Sequence, residues 1–484
     1  MGLSTALSNA LTGLTASSRA AQVVSDNVSN AMTEGYARRE LQVSSRGLDG
    51  FGGGVTIDGV LRVSDPRLVA DRREAEANAA FAGERGAGLA RLETALGLPG
   101  EPGALTTRIG AFESALIEAA SRPDARIRQE QAVAEAGRLA EGIRRASDAV
   151  QGVRADADAR IADTVERLNT ALAQVETLNA QILRNTVSQR DSSGLQDQRQ
   201  RVIDRIAELV PVREVPRENG TVALFSLGGA VLLDGSAQRF GFTATGHVTP
   251  GMTEGAPLSG LTLGDHPLAV DSDYSPIAGG RLQALFDLRD RVAPQAQAGL
   301  DAFARDLVER FQDPALDTTL GAGDPGLFTD AGAAFDAVDE TGLAGRIDLN
   351  VAADPARGGA AWRLRDGLGA AAPGPPGDAT LLAALKERMA ASRTVASGPG
   401  AGLDRTVAGL GADVLSDTAT RRQGAEADSA FHAARLDALR QEEAAGGVDT
   451  DQEMQKLLLI ERAYAASSRV VRTVDELFDQ LLRI

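Results

Sequence analysis

Both ends of the chain carry an apolar stripe that repeats about every 3.5 residues. At the N-terminus it runs Leu3, Leu7, Ala10, Leu14, Ser17, Ala21, Val24, Val28, Ala31. At the C-terminus it runs Leu457, Ile460, Tyr464, Ser467, Val471, Val474, Phe478, Leu481, almost to Ile484. Alternating steps of four and three lay these side chains along one seam of a helix, which is what coiled-coil packing requires. Termini fray unless something ties them down. Two matched seams at opposite ends of 484 residues therefore predict that the ends pair, with each other or with neighbouring subunits. Ordinary amphipathic helices of a bundle show the same periodicity, so the stripe alone leaves both readings open.

The residues around the seams are more specific. Ser25-Asp26-Asn27-Val28-Ser29-Asn30-Ala31 leads into Thr33-Glu34-Gly35-Tyr36-Ala37-Arg38-Arg39. This string resembles the N-terminal signature of the bacterial flagellar rod, hook and hook-associated proteins, S-x-N-[IV]-[AS]-N-x-x-T-x-G-[YF] after a Leu/Ala-rich helix. Val448-Asp449-Thr450-Asp451-Gln452-Glu453-Met454 and Ala463-Tyr464-Ala465-Ala466-Ser467 look like that family's C-terminal partner segment. A third stretch, Ser193-Gly194-Leu195-Gln196-Asp197-Gln198-Arg199-Gln200-Arg201-Val202-Ile203, is similar to a D-L-x-D-Q-R-D-x-L-L run of the hook-associated branch, as is Gly279-Gly280-Arg281-Leu282 with Arg289-Asp290. The resemblance covers the first 65 residues, about 191–235, 279–306 and the last 38.

The resemblance implies a structural subunit with no enzymatic activity and no cofactor, which self-assembles into a ring of the flagellar axial tube and joins hook to filament. It implies the hook protein, the next hook-associated protein and a cytoplasmic export chaperone on the C-terminal helix as partners. Its place would be the extracellular flagellum, reached by type III export without a cleaved signal. On this reading Leu3, Leu7, Ala10, Leu14, Ala21, Val24, Val28, Leu457, Ile460, Tyr464, Val471, Val474, Phe478 and Leu481 are assembly-seam residues. Ser25, Asn27, Asn30, Gly35, Tyr36, Arg38, Asp197, Gln198 and Arg199 are signature residues. The alternatives are the hook protein or another axial subunit and, more remotely, an axial-type protein with an inserted enzymatic or ligand-binding domain. Either terminal helix alone offers half a seam, so each is expected to order only on assembly.

Composition narrows the chemistry. Acidic residues number 67 against 50 basic, a net charge of −17, which argues against nucleic acid and anionic membrane as partners. With no cysteine, disulfides, thiolate metal sites and thiol nucleophiles are excluded. No run of 18 apolar residues exists, and the first 18 residues lack charge, so a spanning helix and a basic signal-peptide start are both missing. His247, His266 and His432 stand in no metal-binding frame. Gly50-Phe51-Gly52-Gly53-Gly54 falls short of a dinucleotide fingerprint and reads as a turn. Asp156, Asp158 and Asp163, like Asp271 and Asp273, lack calcium-loop spacing and read as solvated acids. Asp197 and Arg201, four apart on a helix, read as a surface pair.

The predicted fold class is mainly α with a small β part, an elongated multi-domain axial protein. Paired terminal helices, 1–36 and 447–484, form an inner coiled-coil domain, and 37–65 is an extended β arm. Residues 66–210, 279–312 and 378–446 form a helical bundle, with one long helix over about 124–185 whose seam includes Asn179. Residues 211–278, with Asn219-Gly220 and Asp234-Gly235 turns, form an outer antiparallel β domain. Residues 313–377 are an irregular insertion with strands at 346–351 and 361–364. Nesting in sequence puts the β domain at the end farthest from both termini.

Overall fold

The computed structural model describes residues 2–33, 35–48, 51–98, 100–270 and 275–482. Expectations resting on Glu34, Gly50, Asp271, Asp273 and Ile484 lie outside the described residues. The chain is mainly helical with small antiparallel sheets. Helix α1 (Leu3–Ser29) leads into a hairpin of β1 (Arg39–Leu48) and β2 (Phe51–Arg62), followed by α2 (Pro66–Leu96), α3 (Leu105–Ser121), α4 (Arg126–Val187) and α5 (Ser193–Leu209). Strands β3 (Val212–Pro216), β4 (Val222–Ser226), β5 (Val231–Asp234) and β6 (Ser236–Ala237) form an antiparallel sheet in sequence order. Short strands β7 (Phe240–Gly241), β8 (Thr253–Glu254), β9 (Pro257–Leu258), β10 (Leu261–Leu263) and β11 (His266–Leu268) complete this module.

Next come α6 (Gly280–Asp287), a π turn over Leu288–Val292, and α7 (Ala293–Phe311). The segment that follows holds β12 (Phe328–Asp330), α8 (Leu343–Arg346), β13 (Ile347–Leu349) and α9 (Arg363–Asp366). The chain closes with α10 (Thr380–Ala390), β14 (Arg393–Thr394), β15 (Asp404–Arg405), α11 (Val407–Ala445) and α12 (Thr450–Leu482).

Local chemistry sets the boundaries. Asp65 caps α2 by accepting from the backbone N–H groups of Arg67 and Leu68 at 2.9 and 3.3 Å, and Pro66 supplies the first helical position. Asp449 does the same for α12, accepting from the N–H of Asp451 at 2.9 Å. Asn219 and Gly220, at φ of 55° and 76°, make the tight turn between β3 and β4. Residues 361–364, expected as a strand, lead instead into α9, where the Trp362 carbonyl accepts from Arg365 and Asp366.

Two apolar cores share α4. The first gathers its N-terminal half (Leu139, Ile143, Val150) with α3, α7, part of α11 and the 313–377 segment; Phe112, Phe311 and Phe328 meet there at ring-centroid distances of 5.4–6.2 Å. The second gathers Ile161, Leu168, Leu172 and Val175 with Ile203 and Ile206 of α5, Leu282 and Phe286 of α6, and Leu224, Leu233 and Phe240 of the β module.

A buried polar layer separates them. Arg289, fully buried, donates to Asp158 at 2.6 Å and to Asp290 at 2.8 Å, and stacks on Phe286 and Phe242. Arg154 donates to the carbonyls of Arg289, Thr249 and Met252. Asp158 is thus not a solvated acid but the buried counter-charge of Arg289. Asp156, by contrast, is exposed and pairs with Arg91.

The β module is not the end remote from the termini. α4 has 62 residues, about 93 Å at 1.5 Å per residue, so it carries the chain back before the module begins. The module then packs against the C-terminal half of α4 and against α5, the helix that meets the terminal layer. The 313–377 segment packs at the opposite end, where Arg365 donates to the Pro123 carbonyl beside the start of α4.

Candidate functional site at the root of the terminal helices

The two terminal helices pair within one chain. Asn27 reaches Glu453, and a Cβ placed on Gly13 would stand 3.1 Å from the Ser467 hydroxyl. Fourteen residues along α1 therefore match fourteen along α12 in the opposite sense, an antiparallel pair. The small residues Gly13 and Ser467 let the backbones approach at mid-length.

Every N-terminal seam residue is buried or half-buried: Ala10 and Val24 buried, Leu3, Leu7, Leu14, Ala21 and Val28 half-buried. On α12, Val474 is buried and Leu457, Ile460, Val471 and Phe478 are half-buried, but Tyr464 and Leu481 remain 45% and 58% exposed. The hairpin supplies the rest of the cover on α1, with the Val55 N–H donating to the Thr12 hydroxyl at 3.2 Å. The expectation that α1 lacks a partner surface in a lone chain therefore fails, because the β arm folds back along it.

α12 is covered on one side only. Leu459, Ala463, Ala466, Val470 and Leu477 form a second stripe, spaced like the first and exposed throughout, with Leu459 at 63% and Val470 at 45%.

The signature residues converge at the root of this layer. Asn27 is fully buried. Its amide donates to the Arg39 carbonyl and to a Glu453 carboxylate oxygen, both at 2.9 Å. Its carbonyl oxygen accepts from the Tyr36 hydroxyl at 2.8 Å and the Arg39 N–H at 2.9 Å. One side chain thereby ties α1, the chain after it, β1 and α12. Glu453, 1% exposed, also accepts from Lys456 at 2.7 Å. Tyr36 lies under the Arg39 guanidinium, 4.8 Å from ring centre to Cζ, and burial foremost pushes its phenol up to about 12. Gly35, at φ 71°, turns the chain out of α1 in a conformation that favours glycine. Asn30 closes α1, its amide donating to the Asp26 carbonyl at 2.9 Å, while Ser25 is exposed.

Asp197 extends the node into the body. It is 4% exposed and accepts from Arg39 at 2.9 Å and Arg62 at 2.7 Å, two residues paired across the base of the hairpin. The expected surface role with Arg201 is replaced by this buried one, because β1 and β2 cover the first turn of α5. Arg199, two residues on, faces another way: it donates to the Asn179 side chain at 2.9 Å and the Gly220 carbonyl at 2.7 Å. Burial lowers its pKa from the usual guanidinium value. Asn179 in turn donates to the Val222 carbonyl at 2.8 Å, so it anchors the edge of the β module to α4 and is not a rim residue. Gln198 is exposed.

Sequence reasoning missed Arg39, Arg62 and Glu453. It favoured Arg38, which pairs with Glu40 at 2.7 Å outside the node. Side chains alternate along a strand, so only one of Arg38 and Arg39 can face the body.

Among carboxylates whose pKa burial raises, Asp301 accepts from the N–H groups of Gly342 and Ala344, and Asp306 pairs with Arg310 at 2.6 Å, so both hold structure together. Among the described residues, no helix is long and apolar enough to cross a membrane.

Two family profiles match the chain. The flagellar hook-associated protein FlgK helical domain covers residues 89–326, and the flagellar basal body rod FlgEFG protein C-terminal segment covers 445–484. Flagellar hook-associated protein 1 of Bacillus subtilis is 23% identical over 517 residues, covering 100% of this chain and 97% of the relative. The protein of that name from Escherichia coli is 23% identical, covering 64% of this chain and 56% of the relative. The flagellar hook junction protein FlgK from Burkholderia pseudomallei superimposes with a TM-score of 0.43 at 21% identity, over 55% of this chain and 47% of that one, too loosely to bear on the fold. Both terminal strings, the Asp197 segment, the two profiles and the relative matched along its whole length agree in likening the chain to flagellar hook-associated protein 1.

Proposed function

We propose that the chain is the junction subunit between flagellar hook and filament, assembling head to tail into a ring of the axial tube. The observation that carries this reading is the uncovered stripe Leu459, Ala463, Ala466, Val470 and Leu477 on a helix whose other side is already paired. Contiguous exposed apolar surface on a soluble chain marks an interaction site. A contact between unlike surfaces of successive copies propagates round an axis and does not close on itself in pairs. The remaining partners are those the family resemblance implies: the hook protein on one side, the next hook-associated protein on the other, and before export a cytoplasmic chaperone covering α12. The destination is the extracellular flagellum, reached through the flagellar export route without signal cleavage.

The test is the triple variant Leu459→Ser, Val470→Ser, Leu477→Ser. It spares the α1–α12 seam, so the secreted monomer should keep native helicity and antiparallel pairing, yet cells should carry hooks without attached filaments. Normal filaments and swimming in that variant would overturn the proposal.

A further inference from the structure

The terminal layer (α1, hairpin and α12) joins the body through two covalent crossings. One is the element-free stretch 63–65 between β2 and α2; the other is 446–449 between α11 and α12, which begins with Gly446-Gly447. Glycine pairs between helices offer the widest backbone freedom, so this crossing is a natural pivot. Both described ion pairs from the hairpin to the body end on one carboxylate, Asp197, held by Arg39 and Arg62 at the hairpin base. All three side chains are at most 16% exposed, so water screens the contacts little. Below the crossings the body is tied independently: Arg72 pairs with Glu443 at 2.6 Å and with Asp204 at 2.9 Å, Arg73 pairs with Asp204 and Glu214, and Arg440 pairs with Glu76.

We infer that Asp197 is a latch that fixes the tilt of the terminal helical layer against the body, and that opening it lets the layer swing about the two crossings without unfolding either part. The geometry separates three jobs. Asn27 and Glu453 hold the layer together internally, Arg72 and Arg73 hold the neck of the body, and among the described residues Asp197 alone accepts both arginines of the hairpin base between them. A latch of this kind gives a subunit two orientations of its tube-forming layer, the property needed where two different lattices meet. That purpose rests on the proposed junction role; the latch itself does not.

The chain contains no cysteine, so Ser18→Cys and Thr177→Cys, both at exposed positions, accept spin labels cleanly. Distances between them in the soluble monomer should form one narrow peak. Adding Asp197→Ala should broaden or split that peak while the thermal melt of the body stays in place. Arg39→Gln with Arg62→Gln should do the same from the other side of the contact, and Asp197→Glu should restore most of the narrow peak. An unchanged peak in both latch variants, a broad peak already present with Asp197 intact, or loss of the body's melt in both variants would each overturn the inference. Because no assembly is measured, failure here leaves the junction role standing, and failure of the stripe variant leaves the latch standing.

Discussion

Replacing Asn27 with alanine should release the terminal layer while leaving the body folded. The substitution removes four hydrogen bonds at once and strands the Tyr36 hydroxyl, the Arg39 N–H and C=O, and a Glu453 oxygen. Each deprived buried partner costs about 1–3 kcal/mol, more for a charge. Tyr36 and Arg39 are half-buried and recover water, so most of the cost sits on Glu453, and a net loss of about 3–5 kcal/mol is expected. Native-state amide exchange reads it directly: protection should fall across 5–30, the hairpin and 450–457, and stay unchanged in α4 and α7. Asn27→Asp sharpens the test. It sets a second carboxyl against Glu453, and like charges raise the pKa of the introduced group above its unfolded value. A raised acid pKa contributes stability that is present below the unfolded pKa and lost as pH rises through the folded one. Protection in Asn27→Asp should therefore return on acidification. Undiminished protection of α1 in Asn27→Ala at neutral pH would refute the node as the tie of the terminal layer.

Tyr36 keeps its proton to about pH 12 against an ordinary 10.0, so its stabilisation is complete below pH 10 and lost as pH rises from there to 12; an alkaline melt of the terminal layer should show this slope, and Tyr36→Phe should flatten it. Arg289→Leu alone strands the buried Asp158 carboxylate and should cost about 3–5 kcal/mol in denaturant unfolding, whereas Arg289→Leu with Asp158→Leu should recover most of it. Replacing 214–274 with a Gly/Ser linker should leave the body largely unfolded by circular dichroism. It strips Leu224, Leu232, Leu233, Phe240 and Leu261 from the second core at about 1.5–3 kcal/mol each. A folded, exported deletion protein would show that the module is dispensable.

Period and punctuation made much of this fold legible. The matched stripes predicted α1 and α12, the long helix over about 124–185 matches α4, and Asn219-Gly220 announced its turn. What stayed hidden depends on partners far apart in sequence. Asp197 reads as a surface acid until the hairpin covers it, and Asp158 reads as solvated until Arg289 arrives across 131 positions. Glu453 sits among other acids at the start of α12, with no local sign that Asn27 will bury it. The order of segments also misled: nesting suggests distance, but a 62-residue helix reverses it and brings the β module back beside α5. The second apolar stripe of α12 was present in the sequence, masked by the stronger seam beside it.

The central claim is best tested by position. Purified hook–filament particles carrying a small epitope in an exposed turn, such as 355–358, and decorated with gold-labelled antibody should show label in a single band where hook meets filament. Label spread along the hook, spread along the filament, or absent from the particles would contradict the junction role.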